Sequence, residues 1–86
     1  MYEDRWSRPA ARKRAQLDPT DRARIDEAID ELRRDPFRAS NARPLTGPLR
    51  GIWRKRVGSW RIFFVPDPNN LVLEIRALNR RKDAYR

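Results

Sequence analysis

Along "MYEDRW", Tyr2, Asp4 and Trp6 alternate with Met1, Glu3 and Arg5, a weak period of two that predicts a short strand. Ser7 stands where an N-cap belongs, ahead of "RPAARKRAQL" with Pro9 in its first turn, so a short helix should follow. "DPTD" at 18–21 is a second helix start. There the Asp18 side chain can accept from orphan first-turn amides, Pro19 lacks a donor where none is needed, and Asp21 favours the helix dipole. Ile25, Ala28, Ile29 and Leu32 then recur at i, i+3, i+4 and i+7, one apolar stripe, until "RRDP" closes the helix with cations and a proline. The two helices read as an antiparallel hairpin that puts Asp26, Glu27, Asp30, Glu31 and Arg33 on its solvated side.

"PFRASNARPLTGPLRG" is polar and punctuated by Pro and Gly, and reads as a loop crossing to the C-terminal half. From Ile52 the period changes from 3.6 to 2. "IWRKRV", a "GS" turn at 58 and 59, "WRIFFV", a "PDPNN" turn and "LVLEIRAL" predict a three-stranded antiparallel meander. The pleat sets Trp53, Lys55 and Val57 on one face and Arg54 and Arg56 on the other. Helices covering one face of such a sheet leave the other open to a ligand. The pattern is that of one α+β domain over residues 1–86, with no internal repeat.

Composition sharpens this picture. A chain of 86 residues buries only about 60 to 65% of the surface it exposes when unfolded, so the core must be small. Twenty-one Lys and Arg against 12 Asp and Glu give a formal charge of +9, which points to a polyanionic partner. Residues 1–49 carry 11 basic and 9 acidic side chains, net +2, while residues 50–86 carry 10 and 3, net +7. The anion-facing part is therefore the C-terminal half. With no cysteine and no histidine, disulfides, thiolate chemistry, a Ser/His triad and a His/Cys zinc site are excluded, and no metal or cofactor is expected. The longest apolar run, "IFFV", is far short of a membrane span, and the acidic, polar start does not read as a signal peptide, so a soluble cytoplasmic protein is expected.

The stretch "LTGPLRGIWRKRVGSWRIFF", followed by a turn, an apolar strand and "NRRKDAY", resembles the RelE/ParE superfamily of small toxins from bacterial toxin-antitoxin pairs. "WSRPA" with two helices and "DP" matches as well, so the resemblance spans essentially the whole chain. It implies an N-terminal strand, a two-helix hairpin and a three-stranded antiparallel meander (β-α-α-β-β-β) whose concave face binds nucleic acid. The RelE branch cleaves messenger RNA on the ribosome by driving a ribose 2′-hydroxyl onto its own phosphate; the ParE branch poisons DNA gyrase. Both are held inactive by a cognate antitoxin, the partner expected here beside mRNA and the ribosome.

Carried over one residue at a time, the RelE-type site falls on Arg54 and Arg56 of the first meander strand, Arg61 of the second, Arg80 after the last, and Tyr85. Arginine suits that chemistry, because its planar fork of donors matches the phosphate oxygens on which in-line attack builds charge. Tyr85 is placed to stack on a base. Lys55, Arg76, Arg81 and Lys82 extend the basic surface as candidate RNA contacts, with Arg76 alternatively pairing Glu74. Relatives often carry lysine at the first-strand positions, whereas Arg54 and Arg56 are never deprotonated and so make poor general bases. Either a register shift brings Lys55 across, or the site works by electrostatic stabilisation with a weak base, or activity is low. Three readings stay open: ribosome-dependent endoribonuclease, gyrase inhibitor, and inactive nucleic-acid-binding module.

Overall fold

The computed structural model describes residues 1–80, and the candidates Arg81, Lys82 and Tyr85 lie outside them. The order is β1 (Glu3–Trp6), α1 (Arg8–Gln16), α2 (Pro19–Arg34), β2 (Ala42–Pro44), a 3-10 turn (Gly47–Leu49), β3 (Trp53–Val57), β4 (Trp60–Asp67) and β5 (Val72–Arg80). Both helices start where their caps stand. Ser7 Oγ accepts from the Ala10 amide at 3.2 Å and an Asp18 carboxylate oxygen from the Asp21 amide at 2.8 Å. At the C-terminal end of α1 the Arg22 guanidinium donates to the carbonyls of Arg14, Ala15 and Leu17, capping the helix end beside the Leu17 amide that bonds Arg14.

The five strands form one sheet in the order β1-β5-β4-β3-β2, with β1 parallel to β5 and the other pairs antiparallel. The predicted meander is β3-β4-β5. Its first turn joins Val57 to Trp60 through Gly58 and Ser59, with Gly58 alone at positive φ (58°), the signature of a II′ hairpin. The strand β2 and the 3-10 turn replace part of the loop expected over residues 36–51.

Both helices pack on one face of the sheet. Ala10, Leu17, Ile25, Ala28, Ile29 and Leu32 meet Trp60, Ile62, Phe64, Leu73, Ile75 and Leu78, and each fully buried Ile, Leu or Phe contributes about 1.5–3 kcal/mol. A bulge keeps this set together. Phe63 opposes Ala77 but Phe64 opposes Ile75, so Arg76 is the extra residue. Strict alternation back from Leu78 would have driven Arg76 into the core and Ile75 and Leu73 out of it.

The acidic side of α2 is less solvated than its sequence suggests. Asp26 accepts two bonds from Arg14, at 2.8 and 2.6 Å, tying α2 to α1, and Arg33 bonds the Tyr2 carbonyl and sits 3.6 Å from Asp4 of β1. No helix of the described residues is long and apolar enough to cross a membrane.

Candidate nucleic-acid interface

The pleat of β3 sorts its three cations. Lys55 points toward the helices and is 3% exposed. Its ammonium lies 3.0 Å from Glu31 of α2 and donates to the Ser40 carbonyl, while Glu31 in turn accepts from the Ser40 amide at 2.8 Å. The Ser40 amide and then Lys55 hold the Glu31 carboxyl below the usual carboxylate range. Lys55 is thus an internal clamp. No register shift brings it across β3: alternation places it with Trp53 and Val57 beneath the hairpin, on the face opposite Arg54 and Arg56.

Arg54 and Arg56 take the opposite face. Residues directly opposed in antiparallel strands share a face, and Arg56 opposes Arg61 while Arg54 opposes Phe63. On its other side Arg54 opposes Arg43 of β2. Four arginines from three neighbouring strands therefore lie on the sheet face away from the helices. Arg43 was not singled out in the sequence, because the strand that aims it went unrecognised. Asn79 of β5 opposes Arg61 and adds an amide to the same row.

Arg54 is half-buried and Arg61 is 6% exposed, and each makes further interactions; Arg43 and Arg56 are exposed. Among the described residues no carboxylate lies within ion-pair distance of Arg43 or Arg56. The acids of this face stand on its other side, Glu3 beside Arg5 at 3.5 Å and Glu74 beside Arg76 at 3.0 Å. Arg76 thus takes the pairing alternative. Two like charges about 5 Å apart repel by on the order of 1 kcal/mol even in water, and a bound polyanion relieves that cost.

Arg80 does not join the row. It opposes Trp60, so it shares the helix-side face with Leu78, and its guanidinium lies 5.0 Å from the Trp60 ring centroid. The indole N–H of Trp60 donates to Asp21 at 3.1 Å, and Trp53 packs edge-on against Phe37 at 5.4 Å and beside Phe64 at 6.3 Å. Both tryptophans are packing residues. Among the described residues no group of three or more Asp and Glu side chains could hold a metal ion.

Comparison with known proteins agrees with this architecture. The family model described as "ParE toxin of type II toxin-antitoxin system, parDE" matches residues 5–85. Among solved structures, the chain is similar to one from the RelBE2 toxin-antitoxin complex of Mycobacterium tuberculosis, with 28% identity and a TM-score of 0.82 over 93% of this chain and 98% of that one. An archaeal RelE-RelB complex from Pyrococcus horikoshii OT3 gives 21% identity and a TM-score of 0.80, covering 93% and 94%. A YoeB/ParE toxin from Agrobacterium tumefaciens gives 20% and 0.80, covering 93% and 98%. A sequence search of curated proteins found no match.

Proposed function

The chain belongs to the ParE toxin family of type II toxin-antitoxin systems, within the RelE/ParE superfamily, and we propose that it acts as a ribosome-dependent endoribonuclease. The observation that carries this reading is the arginine row of Arg54, Arg56 and Arg61 on the sheet face opposite the helices. In the proposed reaction the ribose 2′-hydroxyl gives its proton to water as its oxygen attacks the adjacent phosphorus, the bond to the 5′-oxygen breaks, and that oxygen takes up a proton from water. The products are a 2′,3′-cyclic phosphate and a 5′-hydroxyl. The arginines hold the phosphate in line and offset the charge that builds on its equatorial oxygens. With Lys55 clamped to Glu31, this face supplies positioning and electrostatics rather than an amine base. Tyr85, Arg81 and Lys82 retain their proposed parts in base stacking and RNA binding, whereas Arg80 is proposed to brace Trp60.

A cognate antitoxin is the proposed inhibitor. Support comes from the +7 half of the chain, which an acidic segment would neutralise, and from the similar M. tuberculosis chain, which was solved in a toxin-antitoxin complex. The ribosome places the site of action in the cytoplasm.

A second reading, inhibition of DNA gyrase without catalysis, draws on the ParE description of the matched family and on arginine standing where an amine base would be needed. One experiment separates the two. Purified chain is added to ribosomes programmed with a defined message, to the message alone, and to gyrase with relaxed plasmid. Ribosome-dependent ends carrying 2′,3′-cyclic phosphate, abolished by a 2′-deoxy substitution at the cut, are expected. Intact message together with blocked supercoiling would transfer the assignment to gyrase.

A further inference from the structure

The strand that carries Arg43 is only three residues long, and contacts from α2 and β3 fix the chain around it. The clamp of Lys55, Glu31 and Ser40 fixes the chain immediately before it to both α2 and β3. Asn41 adopts a left-handed φ of 58°, which asparagine tolerates better than most residues, and its carbonyl accepts from the Arg56 amide at 3.2 Å. Ala42 then opposes Lys55, Arg43 opposes Arg54 and Pro44 opposes Trp53. The buried lysine on one face of β3 thus sets the position of an exposed arginine on the other face of β2.

Guarding an edge against pairing explains the short strand and Pro44, but it does not require a cation directly opposite another cation. The row instead resolves into two opposed pairs, Arg56 with Arg61 and Arg43 with Arg54. Strands about 4.8 Å apart and a two-residue step of about 6.7 Å along β3 put the pair centres about 8 Å from one another. An extended single strand of RNA makes a comparable step between successive phosphates.

We infer that Arg43, opposed to Arg54, forms a second phosphate-binding subsite that holds the backbone phosphate next to the one gripped by Arg56 and Arg61. The ligand is single-stranded RNA, and the inference rests on the ribonuclease reading above. Arg43 acts as a positioning residue. It seats the strand so that the neighbouring phosphate meets Arg56 and Arg61 in line.

The test measures binding of the full chain to a short 2′-O-methylated single-stranded RNA, which cannot be cut, between about 50 and 200 mM salt. Each lost phosphate contact lowers the slope of log K against log salt by about 0.7 for a single strand. Arg43→Ala should lower the slope by that amount, so wild type loses about 2.6-fold more affinity than the variant over the fourfold range. Arg43→Lys should restore the slope, and Arg12→Ala, an equal loss of charge on α1, should leave it unchanged. An unchanged slope in Arg43→Ala, with a lowered one in Arg56→Ala, would overturn the subsite and leave the ribonuclease reading standing. Wild-type chain that binds no RNA would overturn the subsite, whereas the ribonuclease reading stands or falls by cleavage on programmed ribosomes. A matched thermal midpoint for Arg43→Ala separates lost contact from lost fold.

Discussion

The pair of Glu31 and Lys55 joins α2 to β3, and its two members are unequally buried: the glutamate side chain is 38% exposed, the lysine 4%. Removing either one therefore has a different cost. In Lys55→Met an unbranched apolar chain of similar volume fills the site, and the stranded Glu31 keeps the Ser40 amide and hydroxyl as donors and reaches water. The loss should be about 1 kcal/mol. In Glu31→Ala the ammonium stays buried with only Ser40 as partner, a one-sided break worth about 3 kcal/mol. For a domain of this size 1 kcal/mol moves the thermal midpoint by roughly 4–8 °C, so the variants should separate by roughly 8–16 °C. Thermal unfolding followed by far-ultraviolet circular dichroism measures both midpoints. Adding Glu31→Ala to Lys55→Met should cost far less than Glu31→Ala in the wild type, a coupling of about 2 kcal/mol. Equal losses in the two single variants, or additive ones in the double, would refute the argument that the lysine is the uncompensated partner.

Three further outcomes follow from the same contacts. Gly58→Ala should cost about 1–2 kcal/mol through the left-handed φ alone, because the new Cβ would meet only the Arg24 guanidinium at an ordinary 3.5 Å; chemical denaturation should show Gly58→Asn losing less. Asp21→Ala strands the buried indole N–H of Trp60 and should cost about 1–3 kcal/mol by the same measurement. Glu31 is held below its ordinary pKa chiefly by the Ser40 amide, and Asp67 by the Asn70 side chain. Their stabilisation is therefore present above the unfolded values of about 4.3 and 3.9 and is lost as pH falls through the lower folded ones. Unfolding midpoints should hold from neutral pH down to about 5 and then drop, with a shallower drop in Glu31→Gln; identical acid limbs would contradict this.

Local signals carried most of the fold. Ser7 and Asp18 cap the helices they precede, and Ile25, Ala28, Ile29 and Leu32 form the buried stripe their spacing announces. The two faces of β3 follow from alternation alone, which already separates Lys55 from Arg54 and Arg56. What was not legible depends on distant partners. β2 is three residues containing a proline, and only its register with β3 makes it a strand. Arg43 was hidden with it. The lysine clamp needs Glu31, which by helical position reads as a solvated acid, to meet a strand 24 residues later in the chain. Arg80 had a signal that went unused: it shares parity with Leu78, a core residue, so the pleat turns it toward Trp60 and leaves Asn79 beside Arg61.

On the proposed reading the arginine row cuts messages on ribosomes. Inducing the chain without an antitoxin and mapping message ends by primer extension tests this most directly, with Arg56→Ala as the partner variant because Arg56 is exposed and outside the core. New ends within translated codons are expected for the wild type, with their loss in a stably folded Arg56→Ala chain. Growth arrest with intact messages, or cuts unchanged by Arg56→Ala, would contradict that reading.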